Sequence, residues 1–156
     1  MKYIRKSTHA DCTYLGSRLR SQDQVECEAH GHNGYTALNI GFTISPHCYT
    51  ILDPVHLLPM AMYGVTDGEQ GLGLIWMLCS KEIEKHPKTF LRGSIEALQD
   101  LWDTTEYPAL YNYTHTANDL HHRWLRWLGF TFLRKVEAKP SLYFYEFVKL
   151  RKEVDV

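Results

Sequence analysis

One segment near the C-terminal end limits the possible folds of this chain more than any other. Asn118 is followed by about ten residues with helical periodicity and then by Leu128-Gly129-Phe130. Asn is favoured immediately before a helix, and Gly immediately after one. Residues 109–115 before this segment and residues 130–136 after it are rich in β-forming residues. The segment therefore predicts a strand, an amphipathic helix and a second strand in close succession.

The composition predicts one packed domain over residues 1–156. Hydrophobic residues make up 44% of the 156 residues and aromatic residues 13%, which is enough for a core. The net charge of −1 gives no basic excess, so we expect neither a nucleic-acid nor a membrane partner. Cysteine occurs four times without a C-x-x-C pair, which favours buried, reduced thiols at Cys12, Cys27, Cys48 and Cys79.

Hydrophobic periodicity and turn residues predict an α/β fold with a mixed sheet. Strands are expected at residues 2–6, 47–52, 57–66, 74–79, 110–114, 130–136 and 142–150. Helices are expected at residues 9–20, 21–30, 81–86, from Pro87 onward and after Asn118, whereas residues 33–45 stay ambiguous.

Two local patterns refine this order of elements. The pattern Thr8-x-x-Asp11 predicts a capping box at the start of the first helix. The continuous apolar run at residues 74–79 predicts a central strand that is buried on both faces. Four residues of the long helix after Pro87 are expected to face the core: Leu91, Ile95, Leu98 and Trp102.

The Asn118 segment resembles the last helix of the GNAT (N-acetyltransferase) superfamily. In that superfamily an Asn lies eleven residues before the Gly of a Gly-Phe pair, and Asn118 and Gly129 keep that spacing. The resemblance implies a GNAT-like mixed sheet flanked by helices, in the order β-α-α-β-β-β-α-β-α-β-β. It also implies acetyl-coenzyme A as cofactor, with its diphosphate held by a glycine-rich loop between the fourth strand and the next helix.

The chain departs from the GNAT pattern at that loop. The superfamily carries Gln/Arg-x-x-Gly-x-Gly/Ala there, but residues 80–88 contain no glycine. Glu82 and Glu84 would repel a diphosphate, and nearby lysines would offset this only in part: Lys81, Lys85 and Lys88. The pattern Gly68-x-x-Gly71-x-Gly73 precedes the strand instead of following it, so it predicts a hairpin loop.

A second departure concerns the chemistry. Many GNAT enzymes place a Tyr seven residues after the Asn, as the acid that protonates the leaving thiolate. This position is Leu125, and residues 74–78 offer no base, so we assign no catalytic residue and expect no cofactor. If the chain is active nonetheless, the resemblance places cofactor binding at Met77, Leu78, Cys79, Lys81 and Asn118.

A narrower resemblance is to small GNAT-like phage proteins, the family that includes internal virion protein A of podophages. The matching residues lie in Ile4-Arg5-Lys6-Ser7-Thr8, in Ile75-Trp76-Met77-Leu78 and in Asn118-x-x-His121-x-Arg123-Trp124-Leu125. This resemblance implies association with the virion or its assembly, other virion proteins as partners, and a location in the virion or the host cytoplasm.

Histidines invite metal-binding and proton-transfer hypotheses. Cys27-x-x-His30-x-His32 has suitable ligand types but lacks a second half-site, so we expect no metal. His115, Asp119 and His122 could form a proton-transfer site where GNAT sheets splay apart. His121 is expected to be hydrogen-bonded at the boundary between helix and sheet.

The Asn118 helix also predicts an interaction surface. His122, Arg123 and Arg126 are expected on its exposed side, and Trp with neighbouring Arg is typical of interfaces. Interface candidates are Arg123, Trp124, Arg126 and Trp127, and the Asn118 side-chain oxygen is expected to cap the helix. The favoured hypothesis is a non-catalytic GNAT-fold protein of phage assembly that acts through protein contacts. The alternative is an acetyl-coenzyme A-dependent N-acyltransferase with an atypical cofactor loop.

Overall fold

The computed structural model of the protein describes residues 2–152 and contains one seven-stranded sheet in the order β1-β2-β3-β4-β5-β7-β6. The strands are β1 (Ile4–Lys6), β2 (His47–Leu52), β3 (Pro59–Asp67), β4 (Gly73–Cys79), β5 (Ala109–His115), β6 (Thr131–Lys139) and β7 (Leu142–Leu150). The helices are α1 (His9–Gly16), α2 (Ser21–Ala29), α3 (Gly34–Ile44), α4 (Glu82–Lys85), α5 (Pro87–Thr104) and α6 (Asp119–Trp127). The predicted α/β class with a mixed sheet flanked by helices is confirmed.

Two hydrophobic clusters make up the core. Because successive side chains of a strand point to opposite faces, neighbouring residues of β3 belong to different clusters. Met62 packs with residues of α1, α2 and α3, whereas Ala61 and Tyr63 pack with residues of α5 and α6. The four cysteines are free and buried, as predicted. None of the helices described is long and apolar enough to cross a membrane.

Among the strands described, the central pair β4 and β5 are the only parallel neighbours, and they stay paired for two residues only. The paired positions are Gly73 with Leu110 and Leu74 with Tyr111. On its other side β4 pairs with β3 along its whole length, from Gly73 to Cys79. The prediction of a central strand at residues 74–79 is confirmed, but its complete burial was wrong. Residues 74–78 are only half-buried because the divergence from β5 leaves a cavity beside them.

The beginning of α1 follows the predicted capping box. The Asp11 carboxylate accepts a hydrogen bond from the backbone N–H of Thr8 at 2.9 Å. Arg5 donates two more hydrogen bonds to this carboxylate, at 2.7 and 2.9 Å, and Thr50 donates one at 2.8 Å. Asp11 therefore joins β1, α1 and β2. The helix ends at Gly16 instead of residue 20. A Cβ atom on Gly16 would lie 2.8 Å from the Cα atom of Tyr35 in α3.

Residues 33–45, which were ambiguous in sequence, contain the helix α3. Asn33 precedes it, and its side-chain oxygen accepts a hydrogen bond from the Thr36 N–H at 2.9 Å. Gly41 weakens the helical pattern in sequence, but it has a packing role. A Cβ atom there would lie 2.7 Å from the Trp76 ring, so glycine lets α3 approach β4.

The predicted core face of α5 is confirmed at Leu98, and Trp102 packs against the core, but the prediction was wrong at Ile95. Ile95 is 51% exposed, whereas the buried residues of α5 are Phe90, Gly93, Ser94, Ala97, Leu98 and Leu101. Small residues also turn towards the sheet, and a Cβ atom on Gly93 would lie 3.5 to 3.9 Å from side-chain atoms of Ile4 and Ile51, which is ordinary van der Waals contact. The packing of the helix on the sheet, and not only the hydrophobicity of single residues, therefore decides which face is buried.

Candidate functional site

The narrow end of the gap between β4 and β5 is closed by a side chain. The Asn112 amide on β5 donates a hydrogen bond to the carbonyl oxygen of Ile75 on β4 at 2.6 Å. The backbone N–H and C=O of one strand residue point to the same side, and this side alternates along the strand. The backbone groups of Met77 and Cys79 therefore face the gap, as those of Ile75 do.

The wide end of the gap is closed by the beginning of α2. The Asp23 carboxylate accepts a hydrogen bond from the Cys79 N–H at 2.7 Å, and the Arg20 N–H donates one to the Cys79 carbonyl oxygen at 2.9 Å. The Asn118 amide, immediately before α6, donates to the other Asp23 oxygen at 3.4 Å. The opening between these two closed ends, with the Met77 backbone at its edge, is called the window below.

The window leads into a cavity of about 510 Å³. This volume lies within the range of about 300–1,000 Å³ that is usual for small-molecule sites. Its lining comes from α2 and α3 on one face of the sheet and from α5 and α6 on the other, so the cavity passes through the sheet. Most of the lining side chains are apolar, among them Ala37, Ile44, Leu98, Leu101 and Leu125.

Three polar atoms in the cavity lining have no hydrogen-bond partner among the residues described. They are the Tyr63 hydroxyl, the Trp124 Nε1 and the His121 Nε2, and all three atoms are buried. A buried polar group without a partner costs about 1–3 kcal/mol. Burial raises the pKa of Tyr63, so its hydroxyl keeps its proton and remains a donor. The cavity thus offers hydrogen bonds to a ligand within an apolar surrounding.

A group of buried polar residues lies beside the window. Burial raises the pKa of Asp23 to about 6, although hydrogen bonds and the Arg20 charge oppose the rise. Burial lowers the pKa of His121 to about 4, so the ring is neutral near pH 7. The Glu26 carboxylate accepts hydrogen bonds from Thr114 Oγ1 at 2.9 Å and from the Asn118 amide at 3.2 Å.

Asn118 does not cap α6 as expected. It occupies the position before the helix, but its side-chain oxygen accepts no hydrogen bond from the helix amides. Its amide nitrogen is instead engaged by the carboxylates of Asp23 and Glu26. Those partners lie more than 90 residues away in sequence, so a local rule could not find this role.

The expected histidine site is only partly assembled. His122 was expected on the exposed side of α6 but is buried, because its Nε2 pairs with the His115 carbonyl oxygen at 2.9 Å. Its Nδ1 lies 3.8 Å from Asp119, whereas the His115 ring contacts Gln22 at 3.2 Å. The three side chains therefore do not converge on one point. His121 is buried at the helix–sheet boundary, but in the described part of the chain its Nε2 lacks the expected hydrogen bond.

The predicted interface residues separate into two groups. Arg123, Arg126 and Trp127 are exposed on α6, and Trp127 is 51% exposed. Trp124 does not lie with them, because its ring packs against Phe90 of α5 at a centroid distance of 5.4 Å. Contrary to the prediction, Trp124 lies in the lining of the cavity and not on the exposed side of α6.

The residues predicted to bind the cofactor if the chain is active lie in different environments. Met77 and Leu78 line the cavity, whereas Cys79 is fully buried and its backbone is already hydrogen-bonded. Lys81 is exposed on the loop before α4. The loop at residues 68–73 connects the antiparallel strands β3 and β4, as predicted for a hairpin.

Sequence reasoning missed several residues of the site. Arg20, Asp23 and Glu26 recur at intervals of three, which places them near one another on a helix, and this spacing was a usable signal. Tyr63 had no such signal, because it lies in a strand in which residues 59–65 are all buried. The role of Asn112 depends on the divergence of β4 and β5, which the sequence pattern does not contain.

Comparisons with known proteins identify the fold. No known family model matches the chain, and no curated protein matches it significantly in sequence. Among solved structures, Ard1 from Thermoplasma volcanium is similar with a TM-score of 0.73 and 11% identity, covering 96% of this chain and 97% of that chain.

Two further solved structures agree with this match. An acetyltransferase (GNAT family) from Bacillus anthracis gives a TM-score of 0.71 at 10% identity, covering 94% of this chain and 93% of that chain. A GNAT superfamily phosphinothricin acetyltransferase from Sinorhizobium meliloti, in complex with AcCoA, gives 0.70 at 13% identity, covering 94% and 86%. At these identities the similarity shows the fold, which is the GNAT fold.

Proposed function

We propose that this GNAT-fold chain is an acyl-coenzyme A-dependent N-acyltransferase that binds its acyl donor in the window. The observation that supports this proposal most strongly is that the Met77 backbone faces the gap, beside a cavity that passes through the sheet. The fold is shared with solved acetyltransferases, one of them in complex with AcCoA. Because the cavity is lined from both faces of the sheet, a donor and an amine acceptor would approach it from opposite sides.

The coenzyme would supply an acyl group activated as a thioester. The Met77 N–H points into the window and would donate a hydrogen bond to the thioester carbonyl oxygen. A fixed donor in a water-poor cavity stabilises the negative charge that develops on this oxygen during transfer. The apolar side chains of Leu98 and Leu101 would keep water from the thioester.

Two further donors lie in the same cavity. Tyr63 is paired in register with Met77 across β3 and β4, and its hydroxyl holds a proton at neutral pH. It therefore offers the phenol that Leu125 cannot offer at the usual superfamily position. The Trp124 Nε1–H has no other partner among the described residues and would hydrogen-bond the donor without ionising.

The residues fit the thioester end of the cofactor better than the diphosphate end. In the loop after β4, the Glu82 N–H donates to Ser80 Oγ at 3.2 Å, and the Glu84 N–H donates to the Lys81 carbonyl oxygen at 3.1 Å. These amides are therefore not free to hold phosphate. Beyond Met77 the edge of β4 is also occupied, because Asp23 accepts the hydrogen bond of the Cys79 N–H. The pantetheine arm of the cofactor would therefore leave the window towards α5 and α6.

Lysine side chains are the remaining phosphate ligands near this loop. Lys81, Lys85 and Lys88 are exposed, although Lys85 forms an ion pair with Glu82 at 3.0 Å. Exposed ammonium groups bind phosphate by charge and not by shape, so binding should weaken steeply as salt rises. This cofactor loop would be atypical for the superfamily.

Calorimetry with acetyl-coenzyme A tests the proposal. We expect a dissociation constant of about 1–100 µM, in the range usual for enzyme substrates. Product analysis by mass spectrometry with a panel of peptide and small-molecule amines then tests transfer. The absence of binding by wild-type protein at millimolar cofactor and low salt would reject the proposal.

A second candidate function is a non-catalytic role in phage assembly. Its non-catalytic character is favoured by the internally bonded, glycine-free loop after β4 and by the exposed Arg123, Arg126 and Trp127 of α6, whereas the phage context rests on the sequence resemblance alone. Under this hypothesis acetyl-coenzyme A does not bind, and purified phage particles contain the protein. Mass spectrometry of particles tests the virion association, and replacement of Trp127 by Ala should weaken incorporation without unfolding the chain.

A further inference from the structure

A second group of chemically reactive side chains lies at the wide end of the window. One carboxylate oxygen of Asp23, the Sγ of Cys79 and one ring nitrogen of His121 all lie within 4.8 Å of one another. The three residues come from α2, β4 and α6, and all are buried. They are distinct from the Cys27, His30 and His32 pattern that the sequence offered as metal ligands.

Two buried polar atoms in or beside this group have no hydrogen-bond partner among the residues described. The His121 Nε2 has no hydrogen-bond partner among the residues described, and it lies 3.5 Å from Asp23 Oδ1. The side-chain oxygen of Asn118 also has no hydrogen-bond partner among residues 2–152, and Asn118 is 1% exposed. In the tautomer that carries its proton on Nδ1, His121 turns a lone pair towards the carboxylate oxygen, and a cation between the two atoms would satisfy both.

We propose that Asp23, Cys79 and His121 bind a zinc ion, with the Asn118 side-chain oxygen or a water molecule from the cavity as fourth ligand. Thiolate sulfur, imidazole nitrogen and carboxylate oxygen are zinc ligands, and four of them form a tetrahedral site. Magnesium and calcium prefer oxygen ligands only, so this set selects against them. The zinc proposal does not rest on the proposed acyltransferase function, although His121 also lines the cavity.

The charges at the site are balanced when zinc is bound. A carboxylate and a thiolate together neutralise a divalent ion, while Arg20 and Glu26 beside the site carry opposite charges. Without metal, burial keeps the Cys79 thiol protonated and the His121 ring neutral. Zinc would displace the thiol proton and use the neutral imidazole directly, so binding should release a proton.

The geometry requires only a small contraction. Zinc lies about 2.0–2.3 Å from each ligand atom, so ligand atoms of one site are about 3.3–3.8 Å apart. The Asp23–His121 distance of 3.5 Å already meets this requirement. The Cys79 Sγ lies within 4.8 Å of the other two ligand atoms, so zinc binding would draw it closer by up to about 1 Å. The ion would then join α2, β4 and α6 and hold the wide end of the window closed.

Metal analysis and cobalt substitution test the site in the full-length protein. Protein purified without chelator and dialysed against zinc should retain about one zinc per chain. Cobalt in place of zinc should give the near-ultraviolet absorption band of a thiolate–cobalt bond. Cys79→Ser should abolish this band, and His121→Ala should lower zinc affinity at least tenfold. Cys12→Ser and His122→Ala are matched controls, because Cys12 and His122 are also buried but lie outside the group; both variants should keep the band.

Thermal unfolding gives a second measurement. A chelator should lower the melting temperature of the wild type and of Cys12→Ser, because zinc binds the folded state. It should leave Cys79→Ser unchanged. If Cys79→Ser cannot be recovered folded, the wild-type cobalt spectrum and the chelator effect decide the question together. No retained zinc, no thiolate band, or an unchanged wild-type melting temperature with chelator would overturn the proposal.

Discussion

The Asp23 carboxylate accepts a hydrogen bond from the backbone N–H of Cys79 at 2.7 Å, across 56 residues of sequence. This contact replaces the pairing that β4 loses where it diverges from β5. It also joins the beginning of α2 to the end of β4 and fixes how far the gap between the two central strands extends. The shape of the window therefore depends on one buried carboxylate.

Removal of this carboxylate should be strongly destabilising. Asp23→Ala leaves the Cys79 N–H without its partner and removes the acceptor of the buried Arg20 side chain. Breaking a buried ion pair by removing one partner costs about 3–5 kcal/mol. Urea unfolding in the presence of a chelator measures this loss apart from any metal contribution.

The matched control is the exposed acidic residue Glu84. Glu84→Ala should change the free energy of unfolding by no more than about 0.5 kcal/mol. An Asp23→Ala effect as small as that of Glu84→Ala would show that the carboxylate does not hold the wide end of the window.

Tyr63→Phe should separate stability from ligand binding. The Tyr63 hydroxyl is buried and has no partner within residues 2–152, so its removal should leave stability unchanged or raise it by up to about 1 kcal/mol. The same change should weaken acetyl-coenzyme A binding about fivefold to tenfold, the value of one hydrogen bond. Denaturant unfolding and calorimetry provide the two measurements.

Tyr107→Phe is the control for this variant. The Tyr107 hydroxyl donates to Asp67 at 2.6 Å outside the cavity, so its removal should lower stability by about 1 kcal/mol and leave binding unchanged. A clear loss of stability in Tyr63→Phe would mean that its hydroxyl already has a partner in solution.

Acid should weaken the fold partly through Asp11. Burial alone would raise the pKa of Asp11, but hydrogen bonds from Arg5, the Thr8 N–H and Thr50 outweigh it and hold the pKa below its usual value. A carboxylate with a lowered folded-state pKa stabilises the fold above its unfolded pKa of about 3.9, and this stabilisation is lost as pH falls through the folded pKa.

Asp23 acts in the opposite direction. Its pKa is raised to about 6, so its ionisation weakens the fold as pH rises from about 4 to 6. The contribution of Asp11 is therefore best isolated as the difference in stability between the wild type and a variant without the Asp11 charge. Urea unfolding of the wild type and of Asp11→Asn should differ strongly at pH 7 and much less at pH 2.5. A difference that does not depend on pH would contradict the ionic role of Asp11.

Two positions on α5 test which face of this helix is buried. Leu98 is 9% exposed and Ile95 is 51% exposed. Leu98→Ala should cost about 2–5 kcal/mol, as expected for a large-to-small change in a core. Ile95→Ala should cost less than about 1 kcal/mol. Equal costs at the two positions, measured by thermal or urea unfolding, would favour the face that the hydrophobic stripe predicted.

Local rules predicted the parts of the fold that depend on neighbouring residues. The capping pair of Thr8 and Asp11 and the strand–helix–strand segment around Asn118 are local patterns, and the structure contains both. The buried face of α5 was predicted only in part, because the burial of Gly93 and Ser94 depends on how the helix packs on the sheet and not on hydrophobic periodicity. Helix propensity alone also left α3 undecided.

The candidate site was less predictable because it is built from distant residues. Met77 was identified through a resemblance to the superfamily, but its exposure to a gap depends on Asn112 and Asp23, which close the two ends. The inward position of Trp124 depends on Phe90, which lies on another helix. Side-chain contacts between elements that are far apart in sequence therefore define the window.

Calorimetric titration of acetyl-coenzyme A into wild-type protein and Trp124→Phe tests the central claim most directly. Trp124→Phe keeps the aromatic contact with Phe90 and removes the unpaired Nε1–H from the cavity. If the window binds the thioester, the wild type should bind with a dissociation constant of about 1–100 µM, and the variant about fivefold to tenfold more weakly. No binding by the wild type, or equal binding by both proteins, would contradict the claim.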